Sequence, residues 1–425
     1  MNHLVPNLIF RCWYRPILAG LLSLVLIGLI LPIPPALADT FTVFFTTDLP
    51  DLNPGDGHCD AFNALSGDQC TLRAAIQESN ALPGADTLNL QAVTYTLTLN
   101  GSGENASATG DLDILDDLTL TGASAATTII QGEPGWDDWL IDIKDPAKVQ
   151  ISDVTLRQGM GGIINSGVLT LTNSAIISNA GGRGISNFGT AMLLNSMIMS
   201  NTATSHGGGI LNTAGGQLTI LNSVVSYNIA AGEGGGIKVN SGAITLTNST
   251  ISHNQATSHG GGLSGSASLI NVTLINNTAD ADNDGFGIAG GVSGSNIILV
   301  NSILARNKKG STANDCSVIT SQGYNLIQTS GGCTINGTTT GNITGQDPLL
   351  GALQDNGGPT MTHAPLPGSP AIDKGNPAAP GSGGNACSAA DQRGVTRPIG
   401  SRCDIGAVEA NVSAVFLPLV IKPEN

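Results

Sequence analysis

Charge is scarce in this 425-residue chain: Asp, Glu, Lys and Arg together make up 11%, against roughly a quarter in an average soluble domain. Aromatic residues are scarcer still at 4%, with three Trp, four Tyr and eight Phe. So thin a supply of the charged residues that cover helix surfaces excludes a conventional helical enzyme. Basic residues are few: 16 Lys and Arg stand against 31 Asp and Glu, a net charge of −15. That balance excludes nucleic acid as a partner, because holding a phosphate backbone takes clustered Lys and Arg. What the chain has in quantity is glycine, 57 residues, beside 20 Pro and a normal 40% of hydrophobic residues. Gly and Pro together stay below the range of about 25–30% that marks low-complexity disorder, so the chain is expected to fold.

Residues 1–38 read as a secretion signal. Arg11 and Arg15 precede an apolar run from Ile17 to Leu31, and Ala36-Leu37-Ala38 before Asp39 fits a small-residue cleavage site. The run is short for a membrane-spanning helix, which needs about 20 residues. Without Arg11 and Arg15, 14 basic residues remain against 31 acidic ones, a net of −17. An exported chain meets an oxidising compartment, and six cysteines fall into close couples. Their spacing predicts three local disulfides, Cys59–Cys70, Cys316–Cys333 and Cys387–Cys403.

One pattern recurs between residues 168 and 307: an alternating apolar stretch, an Asn, five residues, a second Asn, then a glycine-rich turn leading to an aliphatic residue. The pairs are Asn173/Asn179, Asn195/Asn201, Asn222/Asn228, Asn248/Asn254, Asn271/Asn277 and Asn301/Asn307, and the copies follow at intervals of 22, 27, 26, 23 and 30 residues. Runs such as Leu169-Thr170-Leu171-Thr172 alternate with period two and are too short for helices. A repeat of this length without propeller aromatics or leucine-rich spacing points to a parallel β-helix. Its coils stack about 4.8 Å apart, so equivalent side chains form columns, and residues 88–345 hold roughly 11 or 12 coils. Asn at Asn173, Asn195, Asn222, Asn248, Asn271 and Asn301 is expected to form a ladder of stacked amides. Such a solenoid needs its ends covered. The best helix candidate, Cys70 to Glu78 with Thr71 as N-cap and Leu72, Ala75 and Ile76 as its apolar face, is placed as a lid over the N-terminal end.

The ends of the chain resemble known modules. Asp56-Gly57-His58-Cys59, then Cys70-Thr71-Leu72-Arg73-Ala74-Ala75-Ile76 and Asn80-Ala81, resembles the domain named for its CSLREA sequence, with Thr71 in place of the Ser and Ala74 in place of the Glu. The repeats resemble those of polymorphic outer-membrane-protein-like β-helices. Asp347-Pro348-Leu349-Leu350-Gly351, Asn356-Gly357-Gly358-Pro359-Thr360, Ser369-Pro370-Ala371-Ile372-Asp373, Asp391-Gln392-Arg393-Gly394 and Cys403-Asp404-Ile405-Gly406-Ala407-Val408-Glu409 are similar to the choice-of-anchor Q module. The resemblance implies an all-β, right-handed, single-stranded parallel β-helix on the bacterial surface, outer-membrane-associated or outside the cell, and it carries over no catalytic residue. The expected organisation is a signal peptide at 1–38, a CSLREA-like cap at 39–87, a β-helix at 88–345, a disulfide-containing module at 346–410 and a tail at 411–425. Within the tail, residues 415–421 are apolar but broken by Pro418, too short to span a bilayer.

Several groups qualify as sites. Aligning the copies on Ile210, Ile237, Leu263 and Ile288 puts His206, Glu233, His259 and Asp284 in one column, where imidazole and carboxylate could share a proton or a zinc ion; a solvated polar turn gives the same pattern. Asp280, Asp282 and Asp284 have the DxDxDG spacing of a calcium loop, without the Glu of an EF-hand. Asp51, Asn53 and Asp56, with Asp48 nearby, form a second calcium candidate. Trp136 and Trp139 suit either sugar stacking or core packing.

Basic residues form no column along the repeats, and acidic ones there are confined to Glu233 and the 280–284 loop. The expectation is therefore a secreted or cell-surface scaffold without catalysis, adhesin-like or glycan-binding, with an extracellular glycan or a cell-surface protein as partner. The alternative is a polysaccharide lyase or glycoside hydrolase on the same β-helix, with Glu233 and Asp284 as its carboxylate pair.

Overall fold

The structure is a computed structural model that describes residues 38–62 and 69–410. The expected signal peptide, apart from Ala38, and the tail lie outside the described residues. Among those residues no helix is long and apolar enough to cross a membrane.

Short strands wind into four sheets along one axis. A long sheet of twelve strands runs from Thr40–Val43 to Thr334–Thr338, and a second of eleven from Thr94–Leu97 to Ile343–Thr344. A third has eight, between Leu112–Ile114 and Val292–Ser293, and a fourth has seven very short strands between Ala180–Gly181 and Thr312–Ala313. The coil around residue 170 shows the order: third sheet Gly161–Asn165, long sheet Val168–Thr172, second sheet Ala175–Ile177, fourth sheet Ala180–Gly181. Neighbouring coils pair in parallel, whereas the turn at the end of the fourth sheet pairs Lys308–Lys309 with Thr312–Ala313 antiparallel. The chain is thus an all-β, right-handed parallel β-helix, the hand that parallel crossovers nearly always take. After Thr40–Val43, eleven more strands of the long sheet follow, and eight coils carry a strand on the third face.

Alternation decides which side chains go in. Leu171, Leu193, Ile220, Leu246, Leu269 and Leu299 stack in register along the long sheet and are fully buried. Each such side chain contributes about 1.5–3 kcal/mol by leaving water. The intervening threonines point outward.

The two asparagines of each repeat do different work, and the ladder expected of the first appears at a single step among the described residues, Asn195 donating to Asn173 Oδ1 at 3.3 Å. Asn173, Asn195, Asn222, Asn248, Asn271 and Asn301 occupy the corner between the long and second sheets at φ of 47–52°. Asn is one of the few residues that tolerates this left-handed conformation. The inner ladder belongs to the partner six residues on. Asn179, Asn201, Asn228, Asn254, Asn277 and Asn307 are wholly buried, and each donates Nδ2–H to the Oδ1 of the next, at 2.9–3.0 Å. The second Nδ2 hydrogen goes to a backbone carbonyl, as from Asn228 to Ile198 at 2.9 Å. The backbone N–H of Asn228 also reaches Asn254 Oδ1 at 3.0 Å, so the buried amide has a partner for every group. Asp315 ends the ladder by accepting from Asn307 at 2.8 Å. A shorter ladder runs Asn165, Asn187, Asn212 on the third face.

The helix is Leu72–Ala81, capped by Thr71, whose hydroxyl accepts from Ala74 N–H at 3.1 Å. Leu72, Ala75 and Ile76 face the core of the first coils. Arg73 of the same helix is fully buried, paired with Asp48 at 2.6 Å and donating to the carbonyls of Ser107 and Gly110. Disulfides join Cys59 to Cys70, Cys316 to Cys333 and Cys387 to Cys403.

Residues after 346 return along the outside of the second sheet. Gln392 accepts from Thr250 Oγ1 and donates to Ser223 O, Ala407 N–H reaches Thr273 Oγ1, and Gly406 N–H reaches Asn301 O. Corner asparagines are covered in the process: Asn248 donates to Ala390 O, and Asn271 accepts from Ser388 N–H. Ile275, Ile303, Ala305, Leu350, Ala371 and Ile405 form a separate apolar cluster beneath the returning segment.

Candidate functional site

The outward face of the long sheet is open to solvent over many successive coils. Its central column passes through Thr119, Gln150, Thr170, Met192, Thr219 and Thr245 in unbroken register. Beside it stand Thr121, Ser152, Thr172, Leu194, Leu221 and Thr247. All twelve are half-buried or exposed. None carries charge, although the chain as a whole has a net of −15. The strip presents hydroxyls and a few apolar side chains at the coil repeat, a surface that can hydrogen-bond a neutral chain molecule without electrostatic selection.

The histidine column is partly assembled. Glu233 N–H donates to His206 Nδ1 at 3.0 Å, and Gly234 N–H bonds the carbonyl of His259, so the three residues occupy successive coils. Glu233 is already engaged, by the Lys238 ammonium and by Ser264 Oγ at 2.8 Å. Burial opposes its ionisation, but the bonds from Lys238 and Ser264, with the Lys238 and His259 charges, outweigh it and hold the carboxyl below its usual range. Asp284 does not join the column. Ile210, Ile237 and Leu263 pair onward to Val292, whereas Ile288 is 47% exposed. The loop before Val292 is four residues longer than the alignment assumed, so Ile288, with its carbonyl bonded by Gly260 N–H, holds the place expected for Asp284. Glu233 and Asp284 are thus not neighbours in register, and this removes the alignment that paired them as catalytic carboxylates.

Asp280, Asp282 and Asp284 do converge, offering one oxygen each within 4.8 Å of one another. Asp280 is buried and accepts from Gly285 N–H, while Asp284 accepts from Phe286 N–H. At the other acidic cluster, Asp51 accepts from Asn53 N–H at 3.0 Å. Burial, with Glu78, Asp56 and Asp60 close by, pushes the Asp51 carboxyl up to about 6. Asp48 is spent on Arg73. Trp136 is buried, its indole N–H donating to Trp139 O at 3.1 Å, and so is a packing residue.

A cluster invisible in the sequence lies where the cap helix meets the third sheet. Asp113 and Asp142 are register partners on adjacent strands, and Asp111, Asp113 and Asp142 bring one oxygen each within 4.8 Å. Lys144 reaches Asp142 at 2.6 Å and Asp113 at 3.1 Å. Burial, aided by Asp113, Asp138 and Asp142, pushes the Asp111 carboxyl up to about 8. The only sequence signal was two short acidic pairs some 30 residues apart, and only strand register unites them.

No protein family model matches the chain, and no curated protein matches it. Among solved structures it is similar to pectate lyase Pel9A, at 14% identity and a TM-score of 0.49, over 88% of this chain and 98% of that one. It is also similar to the A-module of Azotobacter vinelandii mannuronan C-5 epimerase AlgE6, at 14% identity and a TM-score of 0.29, over 65% of this chain and 95% of that one.

Proposed function

We propose that this chain is an exported polysaccharide-binding β-helix that holds a neutral polymer along the outward face of its long sheet. The observation that carries the reading is the uncharged strip of hydroxyl and apolar side chains repeated coil after coil in an otherwise acidic molecule. A polymer of repeating units meets a surface of repeating units there. Thr170, Thr219 and Thr245 bond sugar hydroxyls, while Met192, Leu194 and Leu221 cover the apolar faces of the rings. Polyanions are disfavoured by the net charge. Three disulfides suit an oxidising compartment outside the cytoplasm, and the resemblance of the two ends to CSLREA and choice-of-anchor Q modules supports a surface or extracellular address. The test is retention of the full chain on neutral glucan and mannan against polygalacturonate. Binding to the neutral polymers that falls about tenfold in Thr170→Lys/Thr219→Lys supports the reading; equal binding by that variant contradicts it.

A second reading is cleavage of a polymer that lies instead along the turns between the fourth and third sheets. The observation favouring it is Glu233, held ionised beside His259 and Lys238 at an edge of the solenoid, where a fixed carboxylate can offset positive charge developing on a sugar ring. Shortening of polymer by the wild type and its loss in Glu233→Gln is the expected result; intact polymer after prolonged incubation contradicts it.

A further inference from the structure

We propose that Asp111, Asp113 and Asp142 form a binding site for a divalent cation of the calcium class, which pins the N-terminal cap to the first coils. Three carboxylates converge to within 4.8 Å from two adjacent strands, Leu112–Ile114 and Trp139–Ile143, and from the residue just before the first. Convergence alone does not make a site, since acidic clusters are common. The second observation is the state of the oxygens. Asp142 is more than nine-tenths buried, and its Oδ1 has no hydrogen-bond partner; Asp113 is wholly buried, and its Oδ1 meets only the Lys144 ammonium at 3.1 Å. A buried carboxylate oxygen without a donor costs about 1–3 kcal/mol or more, a cost that a bound cation would offset.

Lys144 supplies only part of the balance. Its single positive charge is shared between Asp142 Oδ2 and Asp113 Oδ1, and its ammonium also donates to Asn105 Oδ1 at 2.6 Å. One cation thus serves three carboxyl groups, with the carboxylate of Asp138 also close, accepting from Asp111 N–H at 3.3 Å. The donor set is oxygen only, with carboxylates able to bind through one or both atoms. That suits a hard ion such as calcium and excludes the softer metals that select Cys and His.

The position gives the ion a mechanical role. Asp113 accepts from Ser107 N–H through Oδ2, and its carbonyl accepts from Asn80 of the cap helix at 2.8 Å. Arg73 of that helix donates to the carbonyls of Ser107 and Gly110. Helix, loop 101–111 and the first strands of the third sheet therefore meet at one point, and an ion bound there ties all three. This inference is independent of polysaccharide binding.

Terbium(III) is the probe, a calcium-sized ion taken by oxygen ligands whose emission is sensitised by nearby indole. Trp139 opens the strand that carries Asp142, and Trp136 lies three residues before it. The competing Asp280 loop has Phe286 rather than Trp. Chelator-treated full chain is expected to sensitise terbium emission saturably, calcium is expected to compete it away, and calcium is expected to raise the melting temperature. Asp142→Asn should weaken the titration about tenfold or more, while Asp282→Asn leaves it unchanged. Lys144→Gln separates an ion site from a mere ion-pair cluster: removing the competing ammonium should tighten terbium binding about tenfold. No sensitised emission, emission indifferent to Asp142→Asn, or affinity unchanged or lost in Lys144→Gln overturns the proposal.

Discussion

Asn228 and Asn222 are six residues apart, carry the same side chain and do opposite jobs. Asn228 sits inside, bonded to Asn201 and Asn254 and to two coils' backbone. Asn222 turns the corner at φ 51°. Replacing Asn228 with Ala strands buried donors and acceptors on both neighbouring coils, so a loss of about 2–4 kcal/mol is expected in denaturant unfolding. Asn195→Gly, at a half-buried corner of the same type, is expected to stay within about 1 kcal/mol of wild type, since Gly adopts positive φ freely and only the long bond to Asn173 at 3.3 Å is lost. The repeat was legible because its six-residue interval never varies. Which Asn faced inward was not, since an even interval puts both on one face of a regular strand. Left-handed residues at the corner, Asn173, and again at Ser178 reset the direction between them. At the same scale, His363 is 2% exposed, held between Ser252 Oγ at 2.8 Å and Gly351 O at 2.7 Å, and burial, with His253 and Arg306 nearby, pushes it down to about 4. An unfolded chain with an ordinary imidazole takes up its proton first as pH falls. The stability this residue contributes is therefore full above about pH 6.5 and lost toward pH 4, by about 3 kcal/mol at most. Melting temperatures measured from pH 7 to 4 should fall more steeply for wild type than for His363→Gln.

Among the elements, the returning C-terminal segment shows most clearly how motif residues become contacts. Gln392, singled out in the sequence only as part of a module resemblance, reaches Thr250, Ser223, Thr360 and Met361 and is 1% exposed. Arg397 is buried against Glu409 at 3.0 Å. These residues fasten the segment to the second sheet, and the outward side chains there, Ser252 and Ala305, are buried where Ile177 of an earlier coil is only half-buried. Gln392→Ala leaves a cluster of buried polar partners unpaired and should cost about 2–3 kcal/mol, with faster amide exchange concentrated in strands Val224–Ser226 and Thr250–Ser252. Uniform protection across all faces in that variant would show that the segment is held by other means. The helix was readable in the sequence to its cap, because Thr71 and the spacing of Leu72, Ala75 and Ile76 are local signals. The docking of residues 347–410 was not, because contacts such as Gln392 with Ser223 span 169 positions. Register failed at Ile288 for a related reason: a longer loop before Val292 offered an aliphatic residue too early.

Over the whole molecule, an acidic chain keeps two neighbouring columns of its long face free of charge, with Lys148, paired to Asp117, in the column beside them. The core demands only that alternate residues of each long-sheet strand be apolar; nothing in packing requires the others to be Thr, Gln or Met rather than the Lys and Glu that usually cover exposed sheet. Repeat spacing pointed to the solenoid, but the strip itself emerges only when register aligns Thr119, Thr170, Thr219 and Thr245 along one line. The most direct measurement is retention of the full chain on insoluble neutral polysaccharide, wild type beside Thr170→Lys/Thr219→Lys, with both shown to melt alike. Retention of the wild type that drops about tenfold in the variant is the expected result. No retention of the wild type on any neutral polymer, or equal retention of both chains, would contradict the assignment of the long face as the binding surface.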